Sequence, residues 1–249
     1  MKRLNFMLFV MIGVVTASWT MPAAFAQTKV SVNQTTLEEP NQLTPELSTE
    51  ELKKILASNS EPVLDVRSAT EYAIAHIPGS VNVYEKELER VRQLFPDKAA
   101  QFVLYCNGPF CGKSKRLSEQ LVKLGYTKVR RYQLGLPVWR ALGNTVQTDL
   151  EGFRYVIAKD KTAVYVDARS TLEFQKETLP GAVNIQPREA EKANEDGRLP
   201  YRDKGTRVIV FANSPADARL VAEEIAKKAY WNSSYFGGTF VDLKHAQLW

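Results

Sequence analysis

The chain has 249 residues, a formal net charge of +5 and two cysteines. So few cysteines in so long a chain argue against a disulfide scaffold, and two distant histidines leave no metal-ligand cluster to propose. The mild basic excess contains no long Lys/Arg block, so composition gives no support to nucleic-acid binding. The length suits two domains of about 100–120 residues each.

The first 26 residues have the order of a secretory signal. Lys2 and Arg3 precede an apolar run at 6–15, and Ala24-Phe25-Ala26 supplies a small-residue cleavage pattern before Gln27. The apolar run is too short to span a bilayer, so we expect no stable membrane anchor. Cleavage would leave 223 residues and, without the two basic side chains, a net charge of +3. We therefore expect an exported protein, periplasmic or secreted.

After this segment, residues 27–46 are polar and contain two prolines, which predicts a flexible leader. Ser48-Thr49-Glu50-Glu51 and Ser68-Ala69-Thr70-Glu71 are capping boxes, and each predicts the start of a helix. Short apolar strands and helices then alternate, which favours an α/β fold with a mostly parallel sheet covered on both faces. The predicted strands lie at 62–66, 80–83, 102–105 and 128–132, and further helices at 85–95, 113–125 and 136–142.

The pattern of the first half recurs in the second. Asp65-Val66-Arg67 returns 102 residues later as Asp167-Ala168-Arg169, and the apolar run that ends in Cys106 returns as the run that ends in Ala212. A repeat of about a hundred residues indicates a tandem duplication of one α/β unit. We assign the chain as a signal peptide, a leader, a first copy with the cysteine and a second copy without it, at 1–26, 27–46, 47–147 and 148–249.

The strand at 102–105 ends in Cys106, and a loop with glycines and a proline leads to a helix that begins at Lys113. A cysteine in this position lies near unsatisfied N–H groups and the positive end of a helix dipole, which favour negative charge. We expect a thiolate near neutral pH, and therefore a nucleophile. The alternative is that Cys106 is a small buried hydrophobic residue, as most free cysteines are.

The second copy provides an internal control for this loop. Asn213 and Pro215 match Asn107 and Pro109, so we expect the loop to be retained while Ala212 replaces the thiol. The second copy then lacks the nucleophile needed for the same covalent chemistry.

Together these residues resemble the rhodanese family of sulfurtransferases. The resemblance lies in Asp65-Val66-Arg67, Glu71-Tyr72, the segment 76–82, the Cys106 loop and the segment 135–139. It covers residues 47–249 as two copies, and implies two tandem domains that need no cofactor. It also implies a persulfide on Cys106, formed from a thiosulfate-like or mercaptopyruvate-like anion and passed to a thiol or cyanide. The substrate-binding loop implied by the resemblance comprises Asn107, Gly108, Pro109, Phe110, Cys111, Gly112 and Lys113.

Other classes of function remain open. The loop is about two residues longer than the commoner rhodanese loop, which widens the expected pocket. Phosphatases that use a Cys-x5-Arg loop are disfavoured, since Gly112 and Lys113 stand where the arginine would and lysine lacks its bidentate fork. A non-catalytic binding module, or a thiol/disulfide redox protein using Cys106 and Cys111, is the alternative.

Cys111 follows Cys106 by five residues, and the intervening Asn-Gly-Pro-Phe can turn the chain back on itself. Two roles stay open for it: a resolving thiol whose disulfide an exported thiol reductant reopens, or an inert side chain in the core. Since the second copy keeps the equivalents of Asp65, Arg67 and Glu71, we expect these three to be structural. His76 is expected in a turn, with a Cys–His pair left open.

Overall fold

The structure is a computed structural model that describes residues 31–249. The predicted signal peptide and the first residues of the predicted leader lie outside the described residues. Within residues 31–249, no helix combines the length and the apolar character needed to cross a bilayer.

Two sets of alternating strands and helices follow a short 3-10 helix at Val32–Gln34. The elements of the first copy are α1 Thr49–Ser58, β1 Val63–Asp65, α2 Ala69–Ile74, β2 Val81–Asn82, α3 Leu88–Leu94, β3 Gln101–Tyr105, α4 Lys113–Lys123, β4 Lys128–Tyr132 and α5 Gly135–Ala141. Those that follow are β5 Val146–Thr148, α6 Leu150–Lys159, β6 Val164–Asp167, α7 Thr171–Lys176, β7 Val183–Asn184, α8 Ala190–Glu195, β8 Val208–Phe211, α9 Pro215–Ala226, β9 Ser233–Phe236 and α10 Phe240–His245.

The strands form two parallel sheets, with the orders β2-β1-β3-β4 and β5-β9-β8-β6-β7. Strands β1 and β8 are buried along their whole length, as parallel strands covered by helices on both faces should be. The predicted fold class, two α/β units with mostly parallel sheets, is confirmed.

Local capping explains where the helices begin. The side chains of Ser48 and Ser68 accept hydrogen bonds from the backbone N–H groups of Glu51 and Glu71. The side chains of the two glutamates in turn accept hydrogen bonds from the backbone N–H groups of the two serines. Each predicted capping box is therefore present, and it satisfies N–H groups that a helix start leaves without a partner.

Side chains along β3 alternate between two cores. Phe102, Leu104 and Cys106 pack towards α4, whereas Val103 and Tyr105 pack on the opposite face. This is the period of two that a strand imposes. It directs the cysteine that follows the strand towards the N-terminal end of α4.

The loops that follow the central strands differ between the copies. Seven residues, 106–112, separate β3 from α4, but only three, 212–214, separate β8 from α9. The expectation that the second copy retains the loop is therefore wrong. Pro215, which was matched to a loop proline, is the first residue of α9, where its fixed φ and missing N–H suit the helix start.

The first copy contacts the second sheet through α2 and through β5, the strand within which the predicted limit between residues 147 and 148 falls. His76 and Gln147 exchange backbone hydrogen bonds of 3.0 and 2.9 Å. Gly152 of α6 lies so close to the backbone of Ala73 that a Cβ at this position would overlap it. The absence of a side chain at Gly152 therefore permits the close approach of α6 to α2.

The leader was predicted to be flexible, and its C-terminal half makes specific contacts with the first copy. Glu39 forms an ion pair of 3.0 Å with the buried Arg131, and Thr44 is 3% exposed. Glu46 forms a parallel bridge with Arg131 beside β4. These contacts join residues far apart in the chain, and no local sequence pattern predicts them. The assigned domain limits stay predictions.

Candidate active site

Cys106 lies at the carboxyl end of β3, between β1 and β4, and is 1% exposed. Its Sγ is 3.4 Å from the hydroxyl of Ser114, a buried residue in the first turn of α4. The N-cap of α4 is Gly112, with φ of +69°, and it supplies no side-chain cap. The N-terminal end of α4 therefore faces the cysteine with N–H groups that no capping side chain occupies.

The thiol is protonated at neutral pH in this conformation. Burial and the neighbouring Cys111 thiol together raise the pKa of Cys106 to about 11. The hydroxyl and backbone N–H of Ser114 lower the pKa but do not offset these effects. The expectation of a thiolate near neutral pH is thus wrong for this loop conformation, because loss of hydration outweighs the helix N-terminus.

One side of the loop is held by Asn107. Its side-chain oxygen accepts a hydrogen bond of 3.2 Å from Arg67, and its amide donates one of 2.5 Å to Glu71. Lys113 forms an ion pair of 3.1 Å with the same glutamate. Arg67 is itself fixed by its ion pair with the buried Asp65. The residues assigned a structural role thus do more than cap a helix, because they position both ends of the loop.

The electrostatics of Glu71 reflect these contacts. Burial on its own would raise the pKa of this carboxyl group. Hydrogen bonds from Ser68, Lys113 and Asn107 outweigh burial and lower the pKa to about 2. Lys113 is therefore paired in this conformation, and a donor anion that binds it has to compete with Glu71.

Ser114 and Gln133 are functional candidates that the sequence analysis missed. Ser114 donates a hydrogen bond of 3.3 Å to the side chain of the buried Gln133, whose amide donates to the carbonyl of Pro109 and to Glu39. The position of Gln133 just after β4 was an available signal. Carboxyl ends of parallel strands meet at one edge, so residues after β3 and β4 are brought together.

Gly135, the first residue of α5, lies against the backbone of the Cys106 loop. Its φ is +64°, and a Cβ built on it would lie 2.5 Å from the carbonyl oxygen of Cys106 and 2.6 Å from Cα of Gly108. The N–H of Leu136 donates to the same carbonyl oxygen, at 3.1 Å. Gly135 is therefore required both for its backbone conformation and for the close approach of α5 to the loop.

The other predicted loop residues occupy different environments. Gly108 is buried, Pro109 and Cys111 are partly exposed, and Phe110 is fully exposed at the loop tip. Cys111 packs against the same core cluster as Cys106, and both are free thiols. The structure thus combines features of the two roles left open for Cys111, since it contacts the core and also the Cys106 thiol.

His76 belongs to a different part of the molecule. It is 2% exposed, stacks on Tyr72 with ring centroids 3.8 Å apart, and directs Nδ1 to the carbonyl oxygen of Tyr72. Its Nε2 lies 4.0 Å from Asp149. Burial lowers the pKa of His76 despite these partners. It therefore serves the contact between the copies, and its ring nitrogens are directed to groups other than Cys106.

The second copy repeats the hydrogen bonds that hold the Cys106 loop, although its own loop is shorter. The side-chain amide of Asn213 donates a hydrogen bond of 2.7 Å to Glu173, as that of Asn107 does to Glu71. The N–H of Phe240 donates to the carbonyl oxygen of Ala212. The N-terminus of α9 is capped by Ser214, whose side chain accepts from the N–H of Asp217. The N–H group of Asp217 is thus already occupied by a protein group in the second copy.

Comparisons with known proteins agree with this duplicated arrangement. The profile of the rhodanese-like domain family matches residues 48–142 and 155–246. Human thiosulfate:glutathione sulfurtransferase is 36% identical over 107 residues, which are 38% of this chain and 92% of that protein. Thiosulfate sulfurtransferase PspE of Escherichia coli is 36% identical over 72 residues, 28% of this chain and 66% of that protein.

A solved thiosulfate sulfurtransferase from Pseudomonas aeruginosa is 20% identical, with a TM-score of 0.38, over 81% of this chain and 42% of that one. The family profile covers most of the described residues in two matches, one on each copy. The chain therefore belongs to the rhodanese-like family, as a tandem two-domain member, and is a sulfurtransferase in the general sense that its family and relatives define.

Proposed function

We propose that this chain is an exported sulfurtransferase that carries sulfane sulfur as a persulfide on Cys106. The observation that carries the proposal is the placement of Cys106 after the central strand, against the uncapped N-terminus of α4, in only one of the two copies. The names of the relatives given above specify thiosulfate, which supports a thiosulfate-like anion as the donor, and a mercaptopyruvate-like anion is the other donor included in the proposal.

The proposed reaction has two displacements at sulfur. The Cys106 thiolate attacks the sulfane sulfur of thiosulfate, the S–S bond of the donor breaks with its electron pair, and sulfite leaves. The outer sulfur of the persulfide is then attacked by a thiolate or cyanide, which takes that sulfur and returns the Cys106 thiolate. Neither displacement needs an external oxidant or reductant. The N–H of Ser114 and the end of the α4 dipole favour the anionic sulfur in both.

The resting loop has to open before this chemistry. A pKa of about 11 leaves a thiolate fraction at pH 7 on the order of 10⁻⁴, and a sulfur that is 1% exposed offers no approach to a donor. Burial is the largest cause of the raised pKa. Displacement of the part of the loop that contains Cys111, which packs against the same core cluster as Cys106, would therefore both expose Cys106 and increase its acidity. We propose that donor binding selects this open loop.

Intact mass spectrometry tests the persulfide directly. Fully reduced protein is incubated with thiosulfate or with mercaptopyruvate, desalted, and weighed before and after cyanide is added. We expect a one-sulfur adduct with at least one donor, and its disappearance with cyanide. Cys106→Ser should take up no sulfur, while Cys111→Ala should still do so. Lack of an adduct with either donor, from reduced and folded protein, would contradict the proposal.

Export is proposed from the basic, apolar and small-residue order of residues 2–26. Expression of the full chain in a Gram-negative host, followed by osmotic fractionation and N-terminal sequencing, tests it. We expect the periplasmic fraction to contain a chain that begins at Gln27. An uncleaved chain in the cytosolic fraction would contradict the proposal.

A second candidate function is thiol/disulfide redox chemistry, favoured by the packing of the free Cys111 thiol against the core cluster that contains Cys106. In that case an exported disulfide compound accepts two electrons and two protons from the Cys106 and Cys111 thiols, a Cys106–Cys111 disulfide forms, and an exported thiol reductant reopens it and is itself oxidised. The two functions differ in their product. Sulfur transfer to cyanide yields thiocyanate from a reduced enzyme, whereas a redox protein oxidises a dithiol substrate and yields no thiocyanate.

A further inference from the structure

A cleft with walls from both copies lies beside the Cys106 loop. Its cavity is about 270 Å³, and its polar lining includes Asn107, Arg140 and Arg207. Arg140, on α5, is partly buried, and its Nε and Nη2 are sealed from solvent without a hydrogen-bond partner among residues 31–249. Two buried donors without an acceptor leave the guanidinium charge uncompensated by the described protein groups, and Arg140 itself lines the cleft.

The second copy shows which group balances the equivalent charge. The N–H groups of Leu136 and Phe240 make the same bond to Cys106 and Ala212, so Arg140 and Lys244, four residues later, are equivalent. Lys244 forms an ion pair of 2.7 Å with Glu177.

In the first copy the position of Glu177 is occupied by Ala75. The equivalence is structural, because Arg67 donates to the carbonyl of Ala75 as Arg169 donates to the carbonyl of Glu177, both at 2.6 Å. Ala75 lines the same cleft as Arg140. The second copy thus pairs Lys244 with the carboxylate of Glu177. The first copy has the cation Arg140 at the equivalent position, but the residue equivalent to Glu177 is an alanine.

The neighbouring charges do not compensate Arg140. Arg67 is paired with the buried Asp65, and Nε of Arg207 pairs with Asp160 at 3.1 Å. Glu71 also lines the cleft, but it is engaged by Ser68, Asn107 and Lys113. Burial and, to a smaller extent, the positive charges of Arg207 and Arg67 together lower the pKa of Arg140 to about 9. All of these effects favour an added negative charge.

We propose that this cleft binds a small carboxylate or oxyanion, with Arg140 as its main partner and Arg207 of the second copy as an added positive charge. A guanidinium offers a planar fork of donors that matches either group, and charge-assisted bonds of this kind are the strong ones. The cavity volume suits an anionic group or a small acid rather than a large ligand. The second copy then has a binding role, although it lacks the cysteine.

Isothermal titration calorimetry of the mature chain, at constant ionic strength, tests the site with sodium sulfate and sodium propionate as probes. We expect saturable binding of at least one probe, and the tighter one distinguishes an inorganic oxyanion from the carboxylate of an organic acid. Arg140→Gln should weaken that binding at least about tenfold. Lys244→Gln, the matched change in the second copy, should leave it unchanged.

Ala75→Glu is the decisive variant, because it restores the carboxylate that the second copy has. We expect it to weaken anion binding at least about tenfold and to raise Tm, since the new side chain neutralises Arg140 internally. Absence of saturable binding to the wild type, or full binding by either Arg140→Gln or Ala75→Glu, would overturn the inference. If Arg140→Gln does not fold, anion binding by Ala75→Glu still tests the inference.

The titrations contain neither sulfur donor nor acceptor, so the inference does not rest on the proposed function. Sulfur transfer by a protein that binds neither probe would overturn the proposed anion site alone. Anion binding by a protein that takes up no sulfur would overturn the sulfurtransferase proposal alone.

Discussion

The two loops that follow the central strands share their support and differ in their content. In both copies an aspartate–arginine pair and a glutamate–asparagine bond hold the start of the loop. The first loop adds four residues, a cysteine and an uncapped helix end, whereas the second has Ala212 and the cap of Ser214. Residues common to both loops therefore build the scaffold, and the proposed chemistry depends on what only the first loop has.

The largest expected effect tests whether the thiol alone makes the difference. Cys106→Ser should reduce sulfur transfer to cyanide by about 10³-fold or more, since the alcohol is a far weaker nucleophile and forms no persulfide. Thiocyanate formation from thiosulfate measures this. In the same background, Ala212→Cys should restore nothing, because the short loop and the Ser214 cap leave no room for a donor. Recovery of activity would show that loop length is irrelevant.

The second effect concerns the close approach beneath the loop. Gly135→Ala would place a methyl group against the carbonyl of Cys106 and the backbone of Gly108, so the loop has to move. We expect transfer activity to fall about 10- to 100-fold and the free energy of unfolding to fall by about 2 kcal/mol or more. Denaturant unfolding and steady-state assays measure the two.

Gly143→Ala is the matched control for Gly135→Ala. Gly143 has a similar φ of +77°, but a Cβ there meets nothing within 4 Å. It should cost only the backbone strain, about 1–2 kcal/mol, and leave activity unchanged. Equal losses of activity in the two variants would show that the contact with the loop has no functional role.

Much of the scaffold was predictable because its determinants are local. The capping boxes at Ser48 and Ser68 fix helix starts through neighbours three residues away, and the repeated motifs revealed the duplication. The loop mismatch was also readable in principle. Ser214 before Pro215 is the N-cap and first-position pattern of a helix, and it is a stronger local signal than the similarity of Asn213 and Pro215 to Asn107 and Pro109.

Burial and long-range pairing were not predictable from the sequence. The raised pKa of Cys106 depends on how completely α4 and the loop cover the sulfur, which is a tertiary property. The contacts of Glu39 with Arg131 and Gln133 join residues more than ninety positions apart. Similarly, the burial of the Arg140 guanidinium without an acceptor is a property of the packing between the copies.

A third and smaller effect tests whether Glu71 positions the loop or only caps a helix. Glu71→Gln weakens its bonds to Asn107 and Lys113, and we expect about a tenfold lower transfer rate. Glu173→Gln removes the equivalent carboxylate of the second copy and should leave the rate unchanged. Equal rates for the two variants would reduce Glu71 to a helix cap.

The pH dependence of stability provides a separate test of Glu71. Its pKa of about 2 is below the value near 4.3 of an unfolded glutamate. The stability that this carboxylate contributes is therefore complete above about pH 4.3 and is lost as the pH falls towards 2. Urea titrations of wild type and Glu71→Gln should consequently converge over that range. A difference that stays constant down to pH 2 would contradict the lowered pKa.

The smallest effect under reducing conditions concerns Cys111, which the second loop lacks. Because the neighbouring Cys111 thiol raises the pKa of Cys106, Cys111→Ala should lower that pKa. Alkylation of Cys106 by iodoacetamide at pH 8 should then be about two- to threefold faster. Peptide mass mapping of the alkylated residue, as a function of pH, measures this. An unchanged rate would mean that the two thiols are independent.

Oxidation separates the two roles of Cys111 more sharply. If Cys111 is a resolving thiol, dioxygen accepts two electrons and two protons from the pair, a disulfide closes, and transfer activity is lost until dithiothreitol reduces it. Cys111→Ala should then stay active in air without reductant. Cys111 packs partly against the core, beside the thiol of Cys106. Formation of the disulfide therefore depends on movement of the loop and not on the five-residue separation of the two cysteines. Equal sensitivity of wild type and Cys111→Ala to air would mean that Cys106 oxidises alone, and Cys111 would be a core residue.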